Sequence, residues 1–285
     1  MTSTVLDGVL CLLLISAAVV TVTTATPNEP VGEGRAPAVA TTLTTTTASV
    51  NYTLTPRGET TPVTVPTEAT DLERTAHGTL AELLARATVG RAAAGGDRLS
   101  YASAGFERAV IGAVRGVVRA NHTQIVATWR PHPGSSVGGR LVVGDQPPPA
   151  RPVHAATVDA SSGLPPTRTV ARRAARERGV PGLAAAIARR VVRGLFPPTY
   201  TRAAASEPSA SGALVRHRYR RAESVLGVTP PAPLVSGGVD TGNDRLAAAL
   251  ATRVADDVRD SDAAATTVAE RVRVGRVRIV VRTWP

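Results

Sequence analysis

The most catalytic-looking signature in this 285-residue chain is Gly134-Ser135-Ser136-Val137-Gly138, which fits the G-x-S-x-G pattern of a nucleophile elbow. In an elbow a strand leads into a sharp turn and then a helix, so that the serine is lifted above a sheet beside a base. Here Pro131-His132-Pro133 precedes the motif and a strand-like run, Gly139–Val143, follows it. The spacing therefore predicts a hairpin-like turn between strands, and Ser136 would need a neighbouring histidine to act as a nucleophile. We expect no catalytic residue. The five histidines (His77, His122, His132, His154 and His217) show no H-x-x-x-H or H-x-H spacing. A zinc site needs three or four converging ligands, and only His132 and His154 fall in one strand-rich region. The aspartates at 240, 244, 256, 257, 260 and 262 lack the alternate spacing and central glycine of a calcium loop, and read as helix caps and solvated helix faces. Gly237-Gly238-Val239-Asp240-Thr241-Gly242 has neither the spacing nor the lysine of a phosphate loop. A single cysteine, Cys11, excludes a disulfide framework, a cysteine zinc site and a CxxC redox pair. No metal and no cofactor is expected.

Arginine is the exception. All 33 basic residues are arginine, against 22 acidic residues, for a net charge of +11. The excess is local: residues 101–230 hold 19 arginines and 6 acids. Guanidinium forks bind carboxylate, sulfate and phosphate bidentately. Three clusters stand out as candidate anion or partner sites. They are Arg172, Arg173 and Arg176, then Arg189, Arg190 and Arg193, then Arg216, Arg218, Arg220 and Arg221. Only Tyr219 supplies an aromatic ring among them, which disfavours single-stranded nucleic acid, where bases stack on rings. Acidic proteins or surface polymers are the expected partners. Arg218 falls in the apolar stripe of its helix, where it must snorkel or pair.

The elements that would carry these residues follow from periodicity. Ser49–Thr55 alternates as a strand, and Pro62–Pro66 reads as its return strand. Thr70-x-x-Glu73 reads as a capping box opening a helix with Leu72, Ala76, Leu80, Leu83, Leu84 and Ala87 on one face. A helix is expected over 102–120, and strands over 123–129, 140–143 and 153–158. Helices follow over 167–178, from Pro181 onward, over 209–226 and over 244–259, with a short one after Ser261 and Asp262. Arg271–Thr283 is the clearest strand. Val272 and Val274 share one parity, while Val277, Ile279 and Val281 share the other. A one-residue shift reverses the faces, so we expect a bulge at Gly275, with Arg271, Arg273, Arg276, Arg278 and Arg282 on the solvent side.

The N-terminus sets the expected location. The 21 residues from Gly8 to Asn28 carry no charge, enough for a helix to cross the ~30 Å hydrocarbon layer. An uncleaved anchor, a secretory signal and an apolar core helix all remain open. The anchor is preferred, because Met1–Asp7 lacks the basic residues of a signal peptide. Residues 28–48 are rich in Thr and Pro and read as an extended, solvated stalk. Asn51-Tyr52-Thr53 and Asn121-His122-Thr123 match the N-glycosylation pattern. The expected fold is α+β: an N-terminal transmembrane helix (1–27), a low-complexity stalk (28–48), and a mixed helix and antiparallel-sheet domain (49–285) ending in a C-terminal strand. That domain is expected outside the cell membrane on a single-pass anchor. The alternative is a membrane-tethered, arginine-rich domain on the cytoplasmic side, touching nucleic acid or anionic lipid. Nothing in the sequence sets the oligomeric state.

Four stretches together resemble an uncharacterised family of membrane-anchored proteins from halophilic archaea that accompanies pilus-like or type II secretion-like machinery. They are the opening Met1–Leu14, the His77–Leu84 helix, the Trp129–Gly134 turn and the ending at Trp284. The resemblance implies an accessory structural or interaction role at the cell surface, without an assigned reaction. The span lacks the basic residues and glutamate of processed pilin signals, so the implied role is accessory, not polymerisation as a pilin.

Overall fold

The C-terminal strand lies one place in from the edge of the main sheet, and the rest of the fold is best described around it. In the computed structural model the described residues are 34–54, 72–118, 121–205, 209–229 and 238–285. The elements are α1 (Ala36–Thr45), β1 (Thr47–Thr53), β2 (Glu73–Thr79), α2 (Leu80–Gly90), β3 (Ala93–Ala94), β4 (Asp97–Arg98), α3 (Ala104–Val117), β5 (Thr123–Trp129), β6 (Val137–Val143), β7 (His154–Ser161), α4 (Arg168–Leu195), α5 (Pro198–Ala205), α6 (Ala210–Leu226), α7 (Gly238–Asp260), α8 (Ala265–Glu270) and β8 (Arg276–Thr283). The main sheet has the order β4-β3-β6-β5-β8-β7, and every pairing in it is antiparallel. β1 and β2 form a separate antiparallel pair. The architecture is thus α+β with antiparallel sheets and a C-terminal strand.

Alternation explains the sheet. Ile125, Ala127 and Trp129 of β5, Val137, Leu141 and Val143 of β6, and Val277, Ile279 and Val281 of β8 are buried on one face. Helix α2 packs on that face and is buried along most of its length, from Leu80 to Val89. Gly139 lets it approach: a Cβ there would lie 2.1 Å from the Thr88 carbonyl oxygen of α2. Helices α4 and α7 pack closely together, with α8 against α4, and share the same core. Within α4, Gly179 takes φ 57°, a left-handed conformation that breaks the helix, and Pro181 opens the next segment. This is where the sequence placed the break.

Of four expectations, three need correction and one falls outside the described residues. The Thr-rich stretch is not an extended stalk from Ala36 onward. It forms α1, whose Ala36, Val39, Ala40 and Leu43 are buried, while the hydroxyls of Thr41, Thr42, Thr44 and Thr45 donate back to carbonyls three or four residues earlier. Threonine satisfied within the helix leaves its apolar neighbours free to form a stripe. Second, Thr70-x-x-Glu73 opens no helix. Glu73–Thr79 is β2, paired residue by residue with β1 from Thr47↔Thr79 to Thr53↔Glu73. The capping box lies one element later: Thr79 Oγ1 accepts from Glu82 N–H at 3.2 Å, and Glu82 Oε2 accepts from Thr79 N–H at 2.9 Å. A seven-residue antiparallel ladder outweighs a local cap signal, because it pairs the backbone of alternate residues along the whole segment while a cap satisfies only one helix end. Third, the return strand expected at 62–66 lies outside the described residues, and the observed partner of β1 is β2. Fourth, the parity reversal at Gly275 is a turn, not a bulge. Arg276 N–H donates to the Arg273 carbonyl at 2.9 Å, and β8 begins only at Arg276. Both sets of valines are buried and all five arginines are exposed, as the pattern required.

The apolar run 8–28 also lies outside the described residues. Among the described residues no helix is long and apolar enough to cross a membrane.

Candidate anion-binding cleft

Residues 271–275, between α8 and β8, are held by their own backbone. Arg273 N–H donates to the Pro131 carbonyl at 2.8 Å, and Ser162 N–H donates to the Gly275 carbonyl at 3.1 Å. The Val274 carbonyl accepts from Trp129 Nε1 at 2.9 Å and from Ser162 Oγ at 2.8 Å, and the Val272 carbonyl accepts from Arg168 Nε at 3.2 Å. With Val272 and Val274 buried, the intervening side chains of Arg271 and Arg273 must point outward. β8 continues the pattern with Arg276 and Arg278 on its solvent face. Arg130, at the end of β5, and Arg168, at the start of α4, complete the walls. The six guanidinium groups line a cleft of about 530 Å³ together with Thr128, His132, Asp159 and Glu270.

The charge in the cleft is only partly compensated. Arg273 reaches Asp159 at 4.0 Å, and Glu270 is drawn to Arg172 at 2.7 Å. Arg271, Arg276 and Arg278 make no ion pair among the described residues. A second cavity of about 280 Å³ shares Arg130 and Thr128 and adds Arg140, Arg91 and Arg98. Those last two share one carboxylate, Glu107, which offsets one of their two charges. Arginines carried on an anchored turn and strand present their charges from a fixed backbone, an arrangement suited to closely spaced anionic groups.

His132 is 1% exposed. Its Nδ1 lies 2.8 Å from the Pro133 carbonyl, which can only accept, so Nδ1 carries the proton. The buried Nε2 has no hydrogen-bond partner among the described residues. Burial pushes the pKa of His132 below the ordinary histidine value, against the opposing pull of the Pro133 carbonyl and Asp257. The ring is neutral at neutral pH. Ser136 is not paired with it. The Ser136 hydroxyl and amide donate to Asp257 Oδ2 at 3.0 and 2.9 Å, and the Ser135 hydroxyl donates to the same oxygen at 3.3 Å. The G-x-S-x-G stretch is thus a turn pinned to α7 by one carboxylate, and a hydroxyl bound to a carboxylate without a histidine base lacks the elbow's geometry. His154 starts β7 opposite Thr283, at the end of the sheet far from His132. No group of three His, Cys, Asp or Glu residues that could hold a metal occurs among the described residues.

The ten arginines singled out in the sequence do not converge. Arg172 pairs with Glu270, and Arg173 pairs with Glu177 at 2.7 Å one turn along an exposed face. Arg176 and Arg220 are exposed, and Arg216 is half-buried. Arg189, Arg190 and Arg193 share a groove of about 490 Å³ with Arg178, but Asp240 and Asp244 line it too. Arg221 donates from Nε to the Arg98 carbonyl at 3.1 Å and lies over the Tyr101 ring, so it fastens α6 to the β3–β4 hairpin. Arg218 borders an apolar pocket elsewhere. Of the cleft arginines, the sequence pattern places Arg271, Arg273, Arg276 and Arg278 on the outer face of a strand and marks none of the six as a site. The signal for them was the alternation Arg271, Arg273, Arg276, Arg278, but Arg130 and Arg168 join it only through folding. Asn51 and Asn121 are both exposed, and Asn51 Oδ1 accepts from Thr75 Oγ1 at 2.8 Å.

A family model described as a family of unknown function (DUF7284) matches residues 6–284. No curated protein and no solved structure matches the chain.

Proposed function

The chain belongs to the DUF7284 family of unknown function, and we propose that it is a membrane-anchored interaction protein whose folded domain, outside the cell, binds acidic proteins or surface polymers. One observation supports this most: six arginines on one turn, strand and helix start line one cleft, and all of them but Arg273 lack an anionic partner among the described residues. The uncharged run 8–28 supports the anchor. The resemblance to families that accompany pilus-like machinery favours an accessory place in such a surface apparatus. No reaction is proposed, since the Ser136 hydroxyl is held by Asp257.

The test uses the full-length chain with poly-L-glutamate and heparin as probes. Binding is expected to weaken steeply with salt. The triple variant Arg271→Ser, Arg276→Ser, Arg278→Ser should lower the slope of log affinity against log salt by about 2–3, near one per cation removed. Arg173→Ser with Arg176→Ser should leave that slope almost unchanged. An unchanged slope in the triple variant rejects the cleft. Tighter binding to duplex DNA than to polyglutamate at equal salt would favour the cytoplasmic alternative. Protease treatment of intact cells checks location: an outward domain is shaved, a cytoplasmic one is not.

A further inference from the structure

Arg218 presents a separate problem. It lies on the inner face of α6 among buried Leu214, Val215, Tyr219 and Ala222. Nη2 donates to the Leu195 carbonyl at 2.8 Å, and the guanidinium carbon sits 5.3 Å from the centre of the Phe196 ring. Its Nε is buried and has no hydrogen-bond partner among the described residues. No carboxylate among the described residues pairs with it, and its nearest titratable neighbours there are the phenols of Tyr200 and Tyr219. Arginine keeps its proton in proteins, so this site cannot relieve the burial by becoming neutral. A buried cation with an empty donor is costly unless an anion reaches it.

Arg218 also borders a pocket of about 140 Å³ whose other walls are largely apolar, including Leu54, Leu99, Ala102, Phe106 and Leu195. An apolar cavity of about 150 Å³ accepts a benzene-sized molecule. Three residues of the wall carry hydroxyls: Ser103 donates to the Gly90 carbonyl at 2.9 Å, Ser100 accepts from Ala102 N–H at 3.2 Å, and Tyr52 adds a phenol. One guanidinium carries a single positive charge, which balances a monoanion, not a phosphate dianion.

We propose that this pocket binds a small monocarboxylate with a compact apolar body of about six carbons, its carboxylate accepting from Arg218 and its body filling the space beside Leu99 and Phe106. The site is independent of the arginine cleft and takes a different ligand class.

The experiment is an NMR titration of the ¹⁵N-labelled full-length chain, following the Arg218 Nε–H signal and the methyls of Leu54, Leu99 and Leu195. The signal is assigned by its loss in Arg218→Met, and empty nanodiscs serve as the blank where a bilayer is needed. Hexanoate and benzoate should shift both the Nε–H and the methyls. Hexan-1-ol should bind about tenfold more weakly or worse, and acetate should not move the methyls. Arg218→Met should lose about tenfold or more in hexanoate affinity. Equal binding of hexanoate and hexan-1-ol overturns the proposal, as does no shift at 10 mM of either acid. Because those comparisons use the unmodified chain, they hold even if Arg218→Met fails to fold. Glu59 and Glu68 lie outside the described residues. If Glu59→Gln with Glu68→Gln moves the Arg218 Nε–H signal without added acid, the acceptor belongs to the chain itself and the proposal falls.

Discussion

Single side chains hold the surface turns of this protein to its core, and Asp257 is the clearest case. One of its carboxylate oxygens receives three donors from Ser135 and Ser136, so Asp257→Ala leaves the half-buried turn without its acceptor. We expect a loss of about 1–3 kcal/mol, the range for unmet donors, seen as a lower urea midpoint. Ser136→Ala removes one donor and should cost about 1 kcal/mol or less. The contrast separates a structural turn from an active-site serine. His132 gives the pH dependence. Burial favours its neutral ring, so its folded pKa lies below that of the unfolded chain, which is about 6.5. Its contribution to stability is complete above that value and is lost as pH falls through it toward the folded pKa. His217 adds in the same direction, lowered by burial and then by Arg220 and Arg221. The melting temperature should therefore drop between pH 7 and pH 5, and His132→Gln should flatten part of that drop. An equal drop in the variant would assign the effect elsewhere.

At the scale of elements, the contest was between local signals and ladders. The heptapeptide 73–79 follows a capping signal and holds Ala76 of the expected helical stripe, yet it forms a strand because residues 47–53 lie beside it in full register. The helix the sequence predicted there does exist, displaced to Leu80–Gly90, since Leu80, Leu83, Leu84 and Ala87 already shared one face. The packing of that helix on β6 depends on Gly139. Gly139→Ala would put a methyl group against the Thr88 carbonyl. The backbone cannot yield as a flexible side chain can, so the cost should reach about 1–3 kcal/mol or more, measured by chemical denaturation. Gly112→Ala, with open space around its Cβ position in α3, is the matched control and should be neutral or stabilising by a few tenths to about 1 kcal/mol.

For the whole molecule, the decisive fact is that the last strand is inserted between β5 and β7. β8 pairs on both sides, from Thr123↔Thr283 to Thr128↔Arg278 and from His154↔Thr283 to Ser161↔Arg276. Ending the chain at Gly275 strips β7 of its only observed partner and bares one edge of β5. We expect the truncated protein to lose its cooperative thermal transition by circular dichroism. A retained sharp transition would mean that β8 is dispensable to the core. The same insertion builds the cleft, because Arg276 and Arg278 reach Arg130 and Arg168 only when β8 lies beside β5 and follows the turn that Pro131 and Ser162 hold.

Periodicity alone determined where chain segments turn inward: the parity reversal at Gly275, the break at Gly179 and the apolar faces of α2, α4 and α7 are written in side-chain spacing, because burial of alternating or fourth residues is a local property of the backbone geometry. Composition likewise determined that every cationic side chain other than histidine is a guanidinium, so the proposed anion binding can rest on no lysine. Tertiary structure alone decided which arginines act together. Charge density along the chain pointed to Arg172 through Arg221, but neighbours on a helix fan out around its axis and find separate partners. The cleft instead joins residues from positions 130, 168 and 271–278, brought together by strand pairing. The solitary burial of Arg218 was equally hidden, since a sequence shows that a charge falls on an apolar face but not whether a carboxylate from another element comes to meet it.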